Sequence, residues 1–229
     1  MTVKSKLFLG FVYYNADVNK IIHIIESLIK IKKDYDIKVF YSSMSPVYAF
    51  DQLSFKFVKH NNLYLDWSGY INFLQIIKNN NFKTFIIFND TLGTYRYFGK
   101  SFYIWIKLSF LFIDLGIFNI AAPFDRNNEY KWICSYFILG NSKLIYKKYS
   151  LKYAKKFIST SESNQINYWV EKNWRNRHKI KLKKNKINSI YFEKSFARFY
   201  DISHNKIFKF DKISLFRIFN SIERRIFDR

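Results

Sequence analysis

A carboxylate with a hydrogen-bonding side chain on either side closes one of the most apolar runs in the chain: Asn89, Asp90 and Thr91 follow TFIIF at residues 84–88. Asp90 can place Mg2+ or Mn2+ on the two phosphates of a nucleoside diphosphate group. One protein carboxylate suffices, because Mg2+ keeps waters and takes phosphate oxygens. Asn89 and Thr91 can then hydrogen-bond the hydroxyls of an attached ribose or sugar. Other apolar runs also end in small polar residues, Tyr14 and Asn15 after residues 6–13 and Ser42 and Ser43 after residues 37–41. Further along, the segment APFDRNNEYKW holds Asp125 and Glu129, carboxylates that could accept a proton from a reacting hydroxyl. Pro123 stiffens the approach to Asp125 and favours it of the two. Arg96 and Arg126 are candidate phosphate clamps, and Trp132 can stack on a sugar ring.

Other chemistries are poorly represented. There is no GxGxxG and no GxxxxGK[ST], so neither a dinucleotide fingerprint nor a Walker-type phosphate loop is present. His23, His60, His178 and His204 have no HxxxH or HExxH spacing and receive no metal or catalytic role. Cys134 is the single cysteine, which excludes an internal disulfide and a cysteine zinc site and points to a reducing, cytoplasmic compartment. An aromatic content of 21% supplies a core and argues against disorder despite a net charge of +22.

The elements that must position these residues follow from hydrophobic period. Residues 6–13 read as a strand and 17–32 as a helix, with Val18, Ile21, Ile22, Ile25, Leu28 and Ile29 on one face. Residues 37–41 form a second strand, a helix capped by Asp66 or Ser68 runs to about residue 79, and 84–88 form a third strand. Strands alternating with helices predict an α/β fold with a mainly parallel, Rossmann-like sheet flanked by helices. In such sheets ligands sit outside the carboxyl ends of the strands, where the polar residues above lie. Residues 101–120 are almost continuously apolar, but Lys107 and Asp114 would be costly inside a bilayer. A buried or membrane-facing helix is therefore expected rather than a span.

With these pieces in order, a resemblance emerges. The segment NNLYLDWSGYINFLQIIKNNNFKTFIIFNDTLGTYR, followed by EYKWICSYFILGNSKLI, resembles bacterial GT-A-type glycosyltransferases of cell-surface polysaccharide assembly. In that family an N-D-S/T triplet ends a buried strand. The matching residues are Asp66, Ser68, Gly69 and Tyr70 at a helix start, Asn89, Asp90 and Thr91, and Trp132, Ser135, Tyr136 and Phe137. The resemblance covers roughly residues 6–146. It implies a GT-A-like catalytic domain over 1–150 that binds a nucleotide-sugar donor through Tyr14, Asn15, Ser42, Asp66, Ser68, Gly69, Asn89, Asp90, Thr91 and Trp132. The implied reaction is sugar transfer to a lipid-linked glycan acceptor in lipopolysaccharide or capsule biosynthesis.

Charge directs the rest of the reading. Residues 151–229 hold 20 of the 39 basic residues but only 7 of the 17 acids. Six of the ten positions from Arg177 to Lys186 are basic. Residues 211–229 place Ile213, Phe216, Ile218, Phe219, Ile222 and Ile226 along a helical stripe with Lys and Arg elsewhere. This predicts a basic, mainly helical C-terminal extension suited to an anionic membrane, and a peripheral location at the inner face of the plasma membrane. Packing of that helix onto the catalytic domain is the alternative. Two other function classes stay open: a basic nucleic-acid-binding protein, disfavoured by the lack of a recognisable binding motif, and a non-catalytic membrane scaffold with a degenerate transferase fold.

Overall fold

A computed structural model of the chain describes residues 5–94, 100–125, 132–133, 136–145, 150–156, 158–174, 180–202 and 207–211. Its centre is a sheet that begins as the sequence predicts. Strand β1 (Lys6–Val12) is followed by helix α1 (Val18–Ile31), strand β2 (Asp36–Ser43), a short helix α2 (Tyr48–Gln52) and strand β3 (Lys56–Lys59). Then come helix α3 (Asp66–Asn79) and strand β4 (Thr84–Asn89). β3, β2, β1 and β4 lie side by side in that order, all parallel. Beyond β4 the sheet turns mixed. The turn α4 (Thr91–Thr94) and helix α5 (Lys100–Asp114) lead to β5 (Ile120–Asp125), β6 (Trp132–Ile133) and β7 (Phe137–Asn141). β7 pairs antiparallel with both β4 and β5. Helices α6 (Leu151–Lys155), α7 (Thr160–Trp174) and α8 (Ile180–Ile202) follow, and β8 (Ile207–Asp211) closes the described chain, parallel to β5. The expected mainly parallel sheet is thus correct for the first half and gives way to antiparallel pairing where a returning strand is inserted.

The central strands are apolar on both faces because both faces are covered. In β1, Leu7, Leu9 and Phe11 join the core under α1 and α5, whereas Phe8 and Val12 join the core under α3. β4 divides likewise: Ile86 and Phe88 on the first side, Phe85 and Ile87 on the second. Asp17 starts α1 by accepting the Asn19 amide at 2.9 Å, and Ile21, Ile24, Ile25 and Leu28 turn inward. α5 ends in a Schellman turn. Gly116 adopts φ 71°, its N–H reaches Ile113 at 3.1 Å, and the Ile117 N–H reaches Phe112 at 2.9 Å.

The second core does not stop at residue 150. Ala154 of α6 and Phe192 and Phe196 of α8 belong to the same cluster as Phe8, Trp67 and Phe73. The Phe192 ring stacks on Trp67 at 5.7 Å, and Phe196 lies 5.4 Å from it. α8 is therefore held against α3 by aromatic contact, beside the sheet's carboxyl edge. Of the expected membrane-binding helix at 211–229, Asp211 is the last residue of β8 and residues 212–229 lie outside the described residues.

Candidate functional site

The strand order creates the site. From β1 the chain moves outward to β2 and β3, then crosses back to β4 on the other side of β1. The carboxyl ends of β1 and β4 therefore diverge into separate loops and leave a crevice, the place where open α/β sheets take ligands. Tyr14, Asn15 and Ala16 leave β1 there, and Asn89, Asp90 and Thr91 leave β4. The two turns are tied together. Asp90 Oδ2 accepts the backbone N–H of Tyr14 at 2.8 Å, of Asn15 at 3.0 Å and of Ala16 at 3.3 Å. The Asp90 amide in turn donates to the Val12 carbonyl at 3.0 Å.

Asp66 enters from the third side, at the first residue of α3. Leu65 before it has φ 51° and ψ −132°, a backbone region that disfavours any residue with a Cβ. Such a conformation costs about 1–3 kcal/mol and persists only where the surroundings impose it. Asn89 Nδ2 donates to Asp66 Oδ2 at 2.5 Å. Asn89 Oδ1 accepts the Thr91 amide at 3.1 Å, so both ends of this amide are used. Burial pushes the Asp66 carboxyl up to about 7, with Glu193 and Asp90 adding to the rise and Lys186 and the Asn89 bond opposing it. A carboxyl that titrates near neutrality in a crevice is suited to moving protons.

Tyr14 completes the wall. Its hydroxyl donates to Asn62 Oδ1 at 3.2 Å, and Asn185 of α8 donates from Nδ2 to the Asn62 carbonyl at 2.9 Å. Desolvation, then the charges of Asp66 and Asp90, hold the Tyr14 phenol far above its usual range, so it remains a neutral hydrogen-bonding group. His60, at the end of β3, packs edge-on to Tyr14 at 5.6 Å. Ser42 Oγ donates to the Val58 carbonyl at 2.7 Å, so His60 Nδ1, 3.0 Å away, carries the hydrogen that Ser42 accepts. Burial lowers the His60 pKa, which keeps this imidazole neutral.

Other expected site residues serve the frame. Ser42 is buried beneath His60. Ser68 Oγ accepts the Tyr64 amide at 2.8 Å. Gly69 lets α3 approach the sheet: a Cβ there would meet Val12 Cγ2 at 2.5 Å and Ser42 Oγ at 3.0 Å. These three positions govern packing. Asp125 ends β5 on the same edge as the crevice. Ala121 and Ile86 share the partner Leu139, so Asp125 and Asp90 lie level, two strand spacings or about 10 Å apart by backbone. Trp132 pairs with Asp125 across the β5–β6 ladder. Glu129, Arg96 and Arg126 lie outside the described residues. Asn62 and Glu193 join the crevice without having been singled out in the sequence, as do His60, which received no role there, and Lys186, named there only as part of a basic run.

The carboxylates of the crevice are already engaged by the protein. Asp90 Oδ2 is saturated by three amides, Asp66 is held in a neutral-leaning state and bonded to Asn89, and among the described residues no group of three or more His, Cys, Asp or Glu side chains is placed to hold a metal. Asp90 Oδ2 anchors the β1–α1 turn. Comparison with known protein families gives no match, and no curated protein matches the chain significantly.

Proposed function

We propose that the chain is a glycosyltransferase that moves a sugar from a nucleotide diphosphate-sugar to a lipid-linked glycan acceptor in bacterial lipopolysaccharide or capsule biosynthesis. The observation that carries this reading is Asp66. It is a carboxyl raised to near neutrality and set between the diverging ends of β1 and β4 with Tyr14, Asn89 and Lys186 around it. In a GT-A-like arrangement the donor occupies this crevice. Asp66 accepts the proton of the acceptor hydroxyl as its oxygen attacks the anomeric carbon, and the bond to the diphosphate oxygen breaks with its electron pair leaving on the nucleoside diphosphate. A direct displacement of this kind inverts the anomeric centre. Lys186, whose charge opposes the rise of the Asp66 pKa, would meet charge developing on the leaving group. Asn89 fixes the Asp66 carboxyl, and Asp90 fixes the loop that carries Tyr14 and Asn15. Asp125, at the same edge, is the carboxylate to compare with Asp66.

Thermal-shift screening against UDP, GDP, CMP, dTDP and their sugars tests donor binding, because a ligand that binds only the folded state raises the melting temperature. A nucleotide-sugar that stabilises the protein and is consumed in the presence of a lipid-linked acceptor supports the proposal. Asp90 gives the second reading its footing: with that carboxylate committed to three backbone amides, a non-catalytic scaffold on the same frame would show no stabilisation by any of these compounds.

A further inference from the structure

Helix α5 has two apolar faces, and the sheet uses one of them. Phe102, Trp105, Ile106, Phe110 and Ile113 are buried in the core beneath it. Ile104, Leu108, Leu111 and Leu115 are exposed at 57%, 42%, 50% and 64%. At about 100° per residue these four fall within an arc of roughly 60°, on the side away from the buried set. A surface helix ordinarily shows polar side chains along that line. Here branched aliphatic residues run for about 16 Å, and the turn at Gly116 continues the stripe to Ile117, also exposed. A contiguous apolar line of this kind marks an interaction surface.

Charge selects the occupant. The one acid of α5, Asp114, is neutralised in place: Lys32 Nζ lies 2.7 Å from Oδ2, Lys83 Nζ lies 3.8 Å from Oδ1, and the Tyr35 hydroxyl donates to Oδ1 at 2.7 Å. Lys107 is exposed beside the stripe, with its ammonium 4.9 Å from the Tyr103 ring centroid. The whole chain carries +22, so a second copy would approach against its own charge, whereas an anionic bilayer attracts it. No helix among the described residues is long and apolar enough to cross a membrane, which leaves binding in the plane of the interface. We propose that α5 docks the protein on anionic lipid, with Ile104, Leu108, Leu111 and Leu115 seated in the headgroup–acyl boundary and Lys107 facing the headgroups.

Cosedimentation of the full chain with vesicles tests this without donor or acceptor, so its outcome is separate from that of the transfer assay. Phosphatidylcholine vesicles with and without phosphatidylglycerol are compared at low and high salt. The expected result is binding to the anionic vesicles alone, weakened by salt, and weakened roughly tenfold or more in Leu108→Gln/Leu111→Gln with unchanged circular dichroism. As a second readout, Leu108→Trp should add a blue-shifted emission component on those vesicles relative to the parent. Three results would overturn the proposal: no binding by the parent, equal binding by the double variant, or loss of binding only on deletion of residues 212–229. So would a self-association in sedimentation equilibrium that the double variant abolishes, because the stripe would then be a contact between copies.

Discussion

Asp66 sets function against stability. Its carboxyl titrates near 7 when folded against an ordinary value of 3.8, so between these limits the folded state holds a proton that the unfolded chain releases. Stability from this group is fully present below about pH 4 and falls as pH rises toward 7. Asp66→Asn keeps an acceptor for Asn89 and removes the buried charge. It should raise stability at pH 8 by about 1–3 kcal/mol in denaturant unfolding while abolishing transfer. His60 works in the other direction. Its lowered pKa means that stability is present above about 6.5 and is lost as pH falls below it. Asp90 belongs to the frame. Asp90→Ala strands three turn amides and should cost about 3 kcal/mol or more, and added Mn2+ should not alter the melting temperature of the parent protein. A specific Mn2+ stabilisation lost in Asp90→Asn would restore the metal-ligand role expected from the sequence.

At the scale of elements, the close approach of α3 to β1 and the aromatic seat of α8 hold the crevice in shape. Gly69→Ala pushes a methyl into Val12, and the overpacking should cost about 1–3 kcal/mol, less a helix-propensity gain near 1 kcal/mol. Phe192→Ala removes the ring stacked on Trp67 and should cost about 3–5 kcal/mol, read as a drop in the unfolding midpoint. β1, β2 and β4 were legible as apolar runs that end in small polar residues and alternate with helical segments, and α1 and α3 from their helical spacing. β3 was not: KFVK is four residues at the sheet edge with lysines at both ends, which is how edge strands avoid unwanted pairing and also how they lose their signal. β7, fully apolar from Phe137 to Leu139, has no alternation to separate it from a buried helix segment. The candidate site was half legible. Strand-end residues Tyr14, Asn15, Asn89 and Asp90 could be read from position alone. Asn185 reaches Asn62, 123 positions earlier, and Glu193 acts on Asp66 only because α8 is folded back onto α3, so these contributions have no local signal.

For the whole molecule, a positive excess of 22 charges on 229 residues makes self-repulsion a standing cost. The melting temperature should therefore rise by several degrees, on the order of 5 °C, between low salt and a few hundred millimolar NaCl. Vesicle binding should fall over the same range. On the proposed function, Asp66 moves a proton in sugar transfer at the β1–β4 crevice. The most direct measurement is the pH–rate profile of transfer from the nucleotide-sugar identified by thermal shift, for the parent and for folded Asp66→Asn. The expected profile rises with pH through an apparent pKa near 7, and the variant loses at least about a thousandfold in kcat while still binding the donor. Transfer by Asp66→Asn at the parental rate with the same profile would contradict the claim.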